Sequence, residues 1–136
     1  MELVMGRGFA LQVRQKYPQV AKMLGRLIKR HYINKKDYYI KYVCLEEGFN
    51  ILGYEAEKNF NIGAFQVKRH FKDKADLTLV KQSINKLNDL ARTEFDGEII
   101  FLNFPAIGYG WQKDKERKIL DMLRVLPDNV FVWKLA

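Results

Sequence analysis

At 136 residues the chain is long enough for one domain with a sizeable core, and its 48% hydrophobic and 13% aromatic content excludes a disordered tail. The net charge of +8 favours polyanionic partners: nucleic acid, nucleotides or phosphate esters. A lone cysteine, Cys44, excludes an internal disulfide and has no companion at metal-ligand spacing, so neither metal nor cofactor is expected.

No apolar run approaches the ~18 residues of a membrane span, and the start is too short in apolar residues for a signal peptide. A reducing, cytoplasmic setting without a membrane partner is the expectation. The chain opens on a glycine pair, Gly6 and Gly8, around Arg7, followed at once by a helix-competent run. Glycine lets backbone N–H groups approach a ligand, and a helix N-terminus carries partial positive charge, so this stretch has the makings of an anion cradle. Strand-to-helix turns take the same pattern for steric reasons alone.

Residues 9–16 read as a first helix with Ala10, Leu11 and Val13 apolar; Pro18 either ends it or begins the next. Over 19–31, Val20, Met23, Leu24, Leu27 and Ile28 recur at helical spacing, with Lys22, Arg26, Lys29 and Arg30 on the wetter side. Asn34 to Asp37 is a polar turn. Aromatic and β-branched residues over 38–45 predict a strand, and 49–54 a shorter one weakened by Gly53. A loop is expected over 55–59, then a strand over 60–67 in which Gly63 marks a bulge or a close backbone approach.

The clearest helix spans 76–91, with Leu77, Val80, Ile84, Leu87 and Ala91 in one stripe and Asp76 or Asp73 as N-cap. After a turn over 93–97, the run 98–104 is apolar enough to predict a strand buried on both faces. A loop over 105–111, a helix over 114–126, a turn at Pro127-Asp128-Asn129 and a last strand over 130–133 complete the pattern. Helices alternating with apolar strands predict one α/β domain over 1–136 with a mixed or parallel sheet.

The second glycine loop, Gly108-Tyr109-Gly110, falls between the most apolar strand and a helix. Ligands in open α/β sheets bind at the carboxyl ends of strands, so two such loops could grip one pyrophosphate. Basic clusters at Lys29-Arg30-His31, Lys35-Lys36 and Lys68 to Lys74 suit either a polyanion or a plain solvated surface. No RRM, KH or zinc-finger pattern accompanies them.

Met5-Gly6-Arg7-Gly8-Phe9-Ala10-Leu11-Gln12 with Lys16-Tyr17-Pro18, the stretch Phe65 to Phe71 and the run Leu102 to Gly110 occur in the order found in macrodomains. The chain resembles the branch that includes bacterial and phage ADP-ribose phosphatase-like proteins and DNA de-ADP-ribosylating antitoxins. The resemblance implies a three-layer α/β/α sandwich with a mixed sheet and recognition of ADP-ribose or an ADP-ribosylated substrate. Met5, Gly6, Arg7, Gly8 and Phe9 would surround the distal ribose and diphosphate; Ile107, Gly108, Tyr109, Gly110 and Trp111 would form the second diphosphate loop. Lys68 matches the lysine that attacks or polarises the anomeric carbon in the DNA-directed relatives and a related glycohydrolase. Arg69, Lys72 and Lys74 around it would lower its pKa, although a lysine here also serves as an ordinary phosphate contact. His70 is a weaker catalytic candidate, since such a histidine more often packs or hydrogen-bonds.

The family's opening strands, with an Asp for adenine and a Val-Asn-x-x-Asn pattern for the ribose, have no counterpart before Gly6, and Gly110 stands where the glycohydrolases carry an Asp. The expected sandwich thus lacks its N-terminal strands. That implies a start upstream of Met1, a reduced domain, or an oligomer in which another chain supplies a strand. Two functions follow: a hydrolase of ADP-ribose 1″-phosphate or an ADP-ribosyl linkage, or a non-catalytic module that binds ADP-ribose or nucleic acid.

Overall fold

A computed structural model describes residues 14–47, 58–70, 72–105 and 113–133. The chain is mixed α/β and divides into two compact units, Met1–Ala64 and Phe65–Ala136. The expected shorter strand over 49–54 and most of the helix over 9–16 lie outside the described residues, although 14–16 are helical.

In the first unit, helix α1 spans Pro18–Ile33. Pro18 begins it because its fixed φ suits the first turn and its missing N–H would have no partner there. Val20 N–H donates to the Tyr17 carbonyl at 3.0 Å. At the other end, Asn34 N–H returns to Arg30 O at 3.2 Å and Lys36 N–H to His31 O at 2.8 Å, with Lys35 in the left-handed region at φ 53°. Arg30 and His31 in the last turn complement the negative end of the helix dipole.

Strand β1 (Ile40–Glu47) pairs with β2 (Lys58–Phe65) in a two-stranded sheet. It starts later than its composition predicts because Tyr39 sits at φ 56° and Ile40 N–H closes on Tyr38 O at 2.6 Å, a turn incompatible with extended pairing. Val43 and Leu45 point inward while Cys44 between them is exposed, the period of two expected of a strand with one covered face. They pack with Val20, Ala21, Leu24 and Ile28 of α1 into one buried cluster, flanked by Tyr17, Met23, Tyr38, Phe60, Ile62 and Ala64. Gly63 marks a close approach: a Cβ there would lie 3.2 Å from the Lys41 carbonyl oxygen and 3.4 Å from Tyr42 Cβ. The expected loop over 55–59 is corrected at its end, since Lys58 and Asn59 already belong to β2.

In the second unit, helix α2 spans Leu77–Arg92 and buries Leu79, Val80, Ser83, Ile84, Leu87, Leu90 and Ala91. It ends in the turn 93–97, with Phe95 N–H on Leu90 O at 2.9 Å and Gly97 at φ 77°. Strand β3 (Ile100–Asn103), helix α3 (Lys113–Leu123) and strand β4 (Val130–Trp133) then form a β-α-β unit. β3 and β4 run parallel, in register from Ile100 opposite Val130 to Asn103 opposite Trp133. α3 packs on α2 through its buried Ile119 and Leu123. It stops before the expected residue 126 because Pro127 disfavours a helical conformation at Leu126. One side-chain amide joins these parts: Asn129 Nδ2 donates to Ala91 O at 3.1 Å, Phe95 O at 3.1 Å and Glu98 O at 3.0 Å.

The expectation that 98–104 is buried on both faces is overturned. Leu102 and Phe104 are buried, but Ile99 and Phe101 are 68% and 64% exposed. β3 has β4 as its neighbour in a two-stranded sheet, and on the open face Phe101 packs edgewise on Trp133 and tilted on Phe131, with ring centroids 5.8 and 5.9 Å apart. Among the described residues no helix is long and apolar enough to cross a membrane.

Burial pushes the Tyr38 phenol up from 10.0 to about 12. Between those values the unfolded chain sheds a proton that the native phenol keeps, so stability is full below about pH 10 and falls as pH rises through the native value. Urea unfolding from about pH 9 to 12 should show this loss, and Tyr38→Phe should remove it. An unchanged alkaline profile in that variant would contradict the assignment.

Candidate functional site

The segment from Gln66 to Asp76 carries Lys68 and His70, and its shape follows from how it leaves β2 and enters α2. The ladder ends at Phe65 rather than at the expected Val67 because the next carbonyls are used elsewhere. Gln66 O accepts the hydroxyl of Ser83, fully buried inside α2, at 2.7 Å, and Val67 O accepts Asp76 N–H at 3.0 Å. Lys68 is thereby held, half-buried, between two anchored carbonyls and the start of a helix.

Asp76 closes the segment. Its Oδ1 accepts Thr78 N–H at 2.9 Å and Leu79 N–H at 3.3 Å, capping α2, while Oδ2 accepts Arg69 Nη1 at 2.9 Å. Asp76, not Asp73, is therefore the N-cap. The Arg69 guanidinium, then the Leu79 backbone N–H, hold its carboxyl below the ordinary value of 3.8. Arg69, counted from sequence among the free cations around Lys68, is balanced by a carboxylate.

His70 is exposed, and its Nδ1 accepts Lys72 N–H at 3.2 Å while its carbonyl accepts Asp73 N–H at 2.9 Å. With Nδ1 accepting, a neutral imidazole carries its proton on Nε2. Both the ring and the carbonyl of His70 are thus engaged by backbone N–H groups that follow it.

Of the ligand-loop residues, Met5, Gly6, Arg7, Gly8, Phe9, Ile107, Gly108, Tyr109, Gly110 and Trp111 lie outside the described residues. Their flanks are described for the second loop. β3 delivers the chain to Phe104 and Pro105, both buried, and Phe104 N–H donates to Trp133 O at 2.6 Å. The chain resumes at α3, whose first turn bears Asp114 and Glu116. These acids already answer the helix dipole, so an anion before α3 would rely on loop N–H groups more than on the dipole.

Sequence reasoning missed the Arg69–Asp76 pair and the Ser83 anchor. The first is seven residues apart through a non-helical segment, and no local periodicity signals it. A serine inside the apolar stripe of α2 was the one available hint of the second. Among the described residues no three His, Cys, Asp or Glu side chains cluster as metal ligands. Compared with models of protein families, with curated proteins and with solved structures, the chain matches none.

Asp76→Ala removes the cap and the ion pair together and should cost about 1 kcal/mol at neutral pH. Because the native pKa is lowered, this contribution is complete above about pH 4 and lost as pH falls through the native value. The gap between wild type and variant in urea unfolding should accordingly close in strong acid; a gap that persists there would count against it. Ser83→Ala removes the hydroxyl that donates to the Gln66 carbonyl and should cost about 1 kcal/mol, measured the same way.

Proposed function

We propose that the chain recognises ADP-ribose, or an ADP-ribosylated group, within a three-layer macrodomain-like sandwich. The observation that carries the reading is the β3–α3–β4 unit: Gly108 and Gly110 fall between the carboxyl end of a parallel strand and the helix that follows it. Loops in that position collect ligands in open α/β sheets. The order of Gly6-Arg7-Gly8, the Lys68 segment and Gly108-Tyr109-Gly110 along the chain, and its resemblance to macrodomains, supply the chemistry.

In this proposal the two glycine loops, Met5 to Phe9 and Ile107 to Trp111, clasp the diphosphate. Lys68, on a segment anchored at Gln66 and Asp76, approaches the anomeric carbon of the distal ribose and promotes hydrolysis of an ADP-ribosyl linkage or of ADP-ribose 1″-phosphate. The anchoring supports this role, because a reacting group gains from being held in place before substrate arrives.

Calorimetry with ADP-ribose tests the binding. Saturable heat at micromolar ligand is expected, weakened at least tenfold by Gly108→Val; no heat at millimolar ligand would overturn the reading. Lys68→Ala should abolish release of phosphate or ADP-ribose while leaving binding within about threefold. Turnover that survives this change removes Lys68 from the mechanism, and binding without any wild-type turnover leaves a non-catalytic module.

A further inference from the structure

We infer that the exposed face of α1 is a docking surface for the phosphodiester backbone of a nucleic acid. This inference is independent of the glycine loops. Lys22, Arg26, Lys29 and Arg30 follow one another at i, i+4, i+7 and i+8, and all are exposed. At 3.6 residues per turn they occupy an arc of about 100° and run about 12 Å along the axis. α1 contains no Asp or Glu, and among the described residues none of these cations enters an ion pair. Arg30 and the adjacent Lys29 lie at or next to the last turn, where the helix dipole favours cations, but Lys22 and Arg26 continue the stripe upstream, where the dipole no longer acts.

The stripe ends in a depression of about 380 Å³ lined by Arg26, Lys29, Arg30, Ile33 and Asn34. The depression is shallow, on one side of one helix, and could not enclose a small anion as ligand pockets do. An extended polyanion needs no enclosure. It gains by releasing counterions at each neutralised phosphate, and guanidinium groups suit phosphate oxygens. In the last turn of the same helix, Tyr32 is 60% exposed and offers a ring for an unpaired base. A membrane surface fits less well. The apolar side of α1, Val20, Ala21, Leu24 and Ile28, is committed to the core of the first unit and cannot enter a bilayer.

The test is fluorescence anisotropy of the full chain with labelled single-stranded and duplex oligonucleotides over a salt series. Wild type should bind with log K falling linearly in log salt, by about 0.9 per phosphate neutralised on duplex and 0.7 on single strands. Arg26→Gln/Lys29→Gln/Arg30→Gln should weaken binding at least tenfold near physiological salt and reduce that slope by about 2 to 3. These side chains are exposed, so circular dichroism and the thermal midpoint should be unchanged, as should any heat with ADP-ribose. Lys115→Gln/Arg117→Gln/Lys118→Gln on α3 removes the same charge elsewhere and should keep at least a third of the affinity. An unchanged slope in the α1 variant, or an equal loss in the α3 variant, overturns the proposal. So does equal binding of poly-glutamate, or binding of phosphatidylserine vesicles in place of oligonucleotides.

Discussion

The second unit depends on one carboxylate. Asp76 fills two orphan N–H groups at the start of α2 with one oxygen and holds Arg69 with the other, while its own N–H is spent on Val67. A cap, an ion pair and a backbone closure thus converge on one residue. The ion pair is half-exposed and contributes little by itself. Its value lies in direction, because it turns the Arg69 side chain toward the helix start and settles how the chain passes Lys68.

Asn129 plays the corresponding part at the other end of α2. Two amide hydrogens shared among the carbonyls of Ala91, Phe95 and Glu98 satisfy a helix terminus and a turn at once, just before β4 begins. Ile100 N–H donates to the Asn129 carbonyl at 2.9 Å, so the same residue also starts the parallel pairing. The sheet it starts is small. Its open face carries Phe101, Phe131 and Trp133, which remain largely exposed and pack ring against ring.

Much of this was legible in the residues because the governing physics is local. Pro18 at a first turn, Asp76 as a cap, Gly63 at a close approach and the stripe of α2 each follow from a few neighbouring positions. Failure came where the answer depends on what lies across space. An apolar run such as 98–104 states that a strand is favourable but not how many layers cover it, and Phe101 proved to face outward. Tyr39 at positive φ shortened β1 against its own β propensity, a cost no composition reveals. At the candidate site the Lys68 segment was identifiable as basic, yet the pairing of Arg69 with Asp76 was not. The cationic side of α1 was visible as spacing; that none of its cations pairs with an acid among the described residues became plain only with the neighbours in place.

The register of β3 against β4 leaves the short parallel pair little room to slip. It is fixed from both sides of the intervening chain: Phe104 is tied to Trp133, and Asn129 to the end of α2. Both ties are made by residues that flank the strands, so the inward and outward alternation of the pair is set at its ends. Trp133 through its carbonyl and Asn129 through its amide bracket β4, and the strand has no room to slip by one residue without breaking one of them.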